Sequence, residues 1–66
     1  MIETQEAFEA FAKRIAEATG VDKDTSLRWA AAIGDTPEMD RRNPGTILVR
    51  DDKNRVIGRV PASVLG

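Results

Sequence analysis

Four carboxylates stand in close pairs along the chain, Asp22 with Asp24 and Asp51 with Asp52. Such pairs let one acid donate a proton while its neighbour stays ionised, which is the chemistry of glycoside hydrolysis when a cleft raises one pKa. Here the first pair falls where a helix N-cap is expected and the second where a tight turn is expected, so both are read as structural. Ser26 and Ser63 offer hydroxyls, but the chain has no histidine to activate them, and it also lacks cysteine and tyrosine. That composition removes the usual base at neutral pH, the usual thiolate nucleophile and most transition-metal ligands. Asp51-Asp52-Lys53-Asn54 gathers oxygen side chains without the alternating ligands and distal Glu of a calcium loop. The five glycines lie far apart, which rules out a phosphate-cradling loop. The expectation is a protein that is not an enzyme and uses neither metal nor cofactor.

The elements that hold these residues follow from spacing. Thr4 is an N-cap candidate, and Phe8, Phe11, Ile15 and Ala18 then recur at three- and four-residue intervals until Gly20 offers a left-handed C-terminal cap. Asp22 or Asp24 caps a second helix carrying Leu27, Trp29, Ala30, Ala31 and Ile33, closed by Gly34. Thr36-Pro37-Glu38 reads as N-cap, first helical residue and acidic first turn, which predicts a short third helix to about Arg42. Asn43-Pro44-Gly45 predicts a type II turn. Thr46 to Arg50 and Arg55 to Val60 are β-branched runs on either side of a turn in which Asn54 suits the left-handed position. The fold class expected is α+β, with two main helices and a short third helix followed by a C-terminal antiparallel β-hairpin. All 66 residues form a single small domain: a helical part over 4–42, the hairpin over 46–60 and a closing turn over 61–66.

A two- or four-residue hairpin loop puts Ile47, Val49, Val56, Gly58 and Val60 on one face and Leu48, Ile57, Arg50, Arg55 and Arg59 on the other. A three-residue loop regroups them. Charge is uneven along the chain as well. Up to Asn43 there are nine acids against six bases, and beyond Gly45 four bases against two acids. Such a two-ended distribution orients a small protein in another molecule's field even at a net charge of −1.

Two docking surfaces are predicted from these patterns. Leu48 and Ile57 ringed by Arg50, Arg55 and Arg59, with Arg41 and Arg42 nearby, have the composition of an interface core with an arginine rim. Glu3, Glu6 and Glu9 form an acidic strip on the first helix for a basic partner. The bland counterparts are a solvated sheet face and the wet side of an amphipathic helix.

Residues 15–21, Ile-Ala-Glu-Ala-Thr-Gly-Val, followed by Asp22-Lys23-Asp24-Thr25-Ser26-Leu27-Arg28-Trp29, resemble the helix-turn-helix of MerR-type regulators and excisionases. The basic hairpin falls where such proteins carry a wing, so the likeness covers roughly residues 15–59. It implies DNA binding through Lys23, Thr25, Arg28, Arg50 and Arg55. Ser26 departs from the pattern by interrupting the Thr-Leu-Arg run, and Asp22 and Asp24 would face phosphates.

The leading expectation is a non-enzymatic interaction protein that occupies a macromolecular partner's surface by charge-steered docking. Its small size and missing chemistry are shared with phage-type inhibitors of bacterial defence such as anti-CRISPR proteins. DNA binding is the alternative. A protein partner, a homodimer through the hairpin edge, no membrane association and a cytoplasmic location complete the expectation.

Overall fold

The computed structural model describes residues 4–66. Helix α1 spans Gln5–Thr19 and helix α2 spans Lys23–Ile33. Strands β1 (Glu38–Met39), β2 (Thr46–Arg50) and β3 (Val56–Pro61) make one antiparallel sheet in the order β1-β2-β3, and a 3-10 turn, Ala62–Leu65, closes the chain. The α+β class expected from the sequence is therefore the one observed.

Both helices begin and end on the residues that local chemistry selects. Thr4 accepts a hydrogen bond from the Ala7 amide at 3.0 Å and Gly20 ends α1 at φ 79°. Asp22 caps α2 by accepting from the Thr25 amide at 2.9 Å. Only three residues join the helices, which pack against each other and bury Phe11, Ala12 and Ile15 of α1 beside Ser26, Ala30 and Ile33 of α2. The sheet completes the core with Ile47, Val49 and Val60, and the closing turn adds Val64. Each large aliphatic side chain removed from water this way contributes about 1.5–3 kcal/mol before conformational entropy is charged against it.

The short third helix predicted over residues 36–42 does not form. Glu38 and Met39 pair with Leu48 and Ile47 as β1, covering one edge of the hairpin. The Asp40 side chain then accepts from the Arg42 amide at 2.9 Å and from the Asn43 amide group at 3.1 Å, a local bonding pattern that competes with helix. The expected helical part thus ends at Ile33. The turn at Asn43-Pro44-Gly45 forms as expected, with the Thr46 amide donating to the Asn43 carbonyl at 3.1 Å and Gly45 at φ 85°.

The hairpin faces also differ from those of a two- or four-residue loop. The loop is the three-residue type: the Asn54 amide donates to the Asp51 carbonyl, Asn54 takes φ 65°, and the Asp51 amide donates to the Arg55 carbonyl at 2.9 Å. Arg50 then pairs with Val56 and Val49 with Gly58, leaving Ile57 as the extra residue of a bulge. Val56 moves to the face shared by Leu48, Arg50 and Arg59, and Ile57 leaves it. Gly58 stays on the core side, under the ring of Trp29.

Candidate functional site

The helices cover one face of the sheet, and among the described residues no element covers the other. A shallow hollow of about 550 Å³ lies there, lined by Glu38, Asp40, Leu48, Val56 and the side chains of Arg41, Arg42, Arg50 and Arg59. Met39 at its margin is 45% exposed and Val56 40% exposed. Leu48, half-buried on the central strand, stands opposite Glu38 on one side and Arg59 on the other.

Acids drawn from the first two thirds of the chain fold onto the arginines of the last third. Arg50 grips Glu38 with two parallel bonds, Nε to Oε1 at 2.7 Å and Nη2 to Oε2 at 3.0 Å, while its Nη1 donates to the Asn54 carbonyl at 2.9 Å. The Arg50 guanidinium holds the Glu38 carboxyl below its ordinary value, and Glu38 raises that of Arg50. Asp40 is only 8% exposed. Bonds from the Asn43 side chain and the Arg42 amide, and then the 3.4 Å pair with Arg59, lower its pKa against the opposing effect of burial. Two acids of the acid-rich part of the sequence thus lie against arginines of its basic part and offset them locally.

What remains is a local excess. Four arginines share the hollow with two carboxylates, and the exposed Arg41 and Arg42 have no ion partner among the described residues. The Arg42 amide is fixed by Asp40, so two exposed cations stand on an anchored loop beside the apolar pair Leu48 and Val56.

Arg55 and Ile57, both assigned to this surface from the sequence, lie elsewhere. Arg55 pairs with Asp51 at the hairpin tip, Nε to Oδ2 at 2.8 Å. Asp51 also accepts from the Lys53 and Arg55 amides, and these bonds, the Arg55 amide first, lower its pKa. Ile57 faces a second hollow of about 470 Å³ with Arg28, Ala31 and Ala32 of α2 and Asp51 and Asp52 of the tip. Val56 is the residue that sequence reasoning missed, since the length of the loop decides which of two adjacent β-branched residues faces outward.

On the helical side, Glu6 and Glu9 are exposed on α1, and Glu3 lies outside the described residues. Glu9 accepts from the Gln5 amide group at 3.1 Å and lines a groove of about 550 Å³ with Lys13 of α1 and Lys23 of α2. Glu9 is thus flanked by lysines.

The residues implied by the helix-turn-helix resemblance divide between surfaces. Lys23 lines that interhelical groove, Thr25 is half-buried and accepts a 3.3 Å bond from Arg28, and Arg28 reaches the hollow of Ile57. Arg50 also borders the Ile57 hollow, but its guanidinium is committed to Glu38, and Arg55 is committed to Asp51. Ser26, which breaks the motif, is buried with its hydroxyl donating to the Lys23 carbonyl at 2.8 Å.

The carboxylate pairs occupy cap and turn positions as expected: Asp22 is bonded to Thr25, which lowers its pKa, and Asp51 is bonded within the tip. Among the described residues no group of three or more acidic, histidine or cysteine side chains gathers to hold a metal ion. No described helix is long and apolar enough to cross a membrane.

Fold and site together define a two-layer α+β domain with one open, arginine-bearing sheet face. No protein-family model, curated protein or solved structure matches the chain.

Proposed function

We propose that this chain is a non-catalytic interaction protein whose open sheet face docks onto an acidic surface of a protein partner, acting as an inhibitor or adaptor by occupying it. The observation that carries this reading is the excess of arginine on the sheet face that the described helices leave uncovered. Arg41 and Arg42 stand there beside Leu48 and Val56 and form no ion pair among the described residues. Free cations steer encounter, and a central apolar contact fenced by paired charges supplies affinity once water is excluded. The Glu38–Arg50 and Asp40–Arg59 pairs hold their side chains in place before a partner arrives, which lowers the ordering cost of docking.

Affinity capture from extracts of the cells that encode the chain tests this reading. Tagged wild-type protein is compared with a variant carrying Arg41→Glu and Arg42→Glu and with one carrying Glu6→Gln and Glu9→Gln. A partner retained by the wild type and the helix variant but lost with the loop variant is the expected result. Equal retention by all three, or a gel shift with random duplex DNA at physiological ionic strength, defeats it.

A further inference from the structure

The bulge in β3 has an unusual consequence for packing. An extra residue re-aims its neighbours, and here it turns Ile57 out to 48% exposure instead of into the core. Beside Ile57 lies a recess floored by Ala31 and Ala32, both exposed on the outer side of α2. A projecting aliphatic side chain therefore sits next to a concavity of small residues on one surface.

The charges around that surface are opposed in the same manner. Arg28 lies on the helix side, bonded to the Thr25 hydroxyl and in no ion pair among the described residues. Asp52 lies on the hairpin side and likewise forms no ion pair there, whereas its neighbour Asp51 is taken by Arg55. An occupant of this hollow must supply an aliphatic side chain for the alanine recess, a small-residue recess for Ile57, an acid for Arg28 and a base for Asp52. The same surface on another copy of this chain supplies all four.

We infer that two copies associate about a two-fold axis through this surface, with Ile57 of each set against Ala31 and Ala32 of the other and Arg28 of each facing Asp52 of the other. A two-fold contact requires a patch to complement itself, and a protruding residue beside a recess, flanked by one free charge of each sign, meets that requirement. The hairpin edge is not needed. β1 covers the β2 edge, and the free edge of β3 is bent by the bulge and ends at Pro61, which has no amide hydrogen to donate. This inference stands apart from the docking reading, because Arg41, Arg42, Leu48 and Val56 border the other hollow. Association would present two such docking faces in one particle.

Charge exchange tests the arrangement. Sedimentation velocity of the wild type over a range of concentrations is expected to show twice the chain mass at the upper end. Arg28→Asp alone places two acids in each contact and Asp52→Arg alone places two bases, so each variant is expected to sediment as a single copy. Mixed in equal amounts, the two are expected to recover the dimer, because each opposed pair again has one acid and one base. Circular dichroism and thermal melting of each variant establish that it is folded. A wild type that stays a single copy throughout, a dimer indifferent to both substitutions, or folded single variants that fail to reassociate on mixing would each overturn the inference.

Discussion

The ring of Trp29 occupies the space that a side chain on Gly58 would need: a Cβ built there would lie 2.6 Å from both Cη2 and Cζ2 of the indole. Helix α2 reaches the sheet through this contact, and only a residue without a Cβ lets the ring lie so close to β3. Gly58→Ala is expected to lower stability by about 1–3 kcal/mol through overpacking. In a domain of this size that lowers the melting midpoint by at least about 4 °C. Combining Gly58→Ala with Trp29→Leu should cost less than the two single changes added together, which thermal melts of the four proteins measure. A melting point unchanged by Gly58→Ala contradicts the contact.

Acid should destabilise both layers of the protein, since the Asp22 cap of α2 titrates below its ordinary value along with carboxyls of the sheet and its loops. The carboxyls of Glu38, Asp40 and Asp51 all titrate below their ordinary values of 4.5, 3.8 and 3.8 in the folded chain. Carboxyls with depressed folded values add stability that is fully present above the unfolded values and is lost as pH falls through the folded ones. The melting temperature, followed by the fluorescence of the single tryptophan, is therefore expected to stay level between about pH 6 and pH 5 and to fall below about pH 4. Glu38→Gln should flatten part of that fall. A steep loss of stability near pH 6 would contradict this, since no histidine is present to titrate there.

The tip of the hairpin depends on Asn54 at φ 65°. Asn54→Gly removes the cost of a left-handed backbone and is expected to leave stability unchanged or slightly raised. Asn54→Val puts a branched side chain in that conformation and should cost about 1–2 kcal/mol in chemical denaturation. Equal effects from the two substitutions would contradict the turn type.

Arg14 ties the two ends of the fold. Its Nε donates to the Val64 carbonyl at 2.8 Å, and its guanidinium lies 5.7 Å from the centre of the Phe11 ring. Replacing it with Met should raise amide exchange at Val64 to Gly66 roughly tenfold while the β2 amides stay protected. Uniform acceleration across the sheet would assign Arg14 a global role instead.

Much of this fold is written locally. Thr4, Gly20, Asp22 and Gly34 bound the helices as their capping chemistry dictates, and Asn43-Pro44-Gly45 and Asn54 take their expected turns. β1 was hidden because Thr36-Pro37-Glu38 imitates a helix start, and the deciding influences are non-local: the edge of β2 and the bonds of Asp40 to its own loop. The candidate site was half legible. Arg41, Arg42, Leu48, Arg50 and Arg59 meet on one face, but Val56 replaces Ile57 because a register shift of one residue is invisible in a run of β-branched residues. The pairing of Arg50 with Glu38, twelve positions away, and of Arg59 with Asp40, nineteen away, neutralises two of the four arginines on this face. No linear count of charge reveals that cancellation.

The most direct test of the open face as the docking surface is the amide spectrum of isotopically labelled protein added to an extract of the cells that encode it. Selective broadening at Arg41, Arg42, Leu48, Val56 and Arg59, abolished by the Arg41→Glu and Arg42→Glu pair, is the predicted result. Broadening centred on Ala10, Lys13 and Glu17 of α1, or signals that stay sharp throughout, would contradict it.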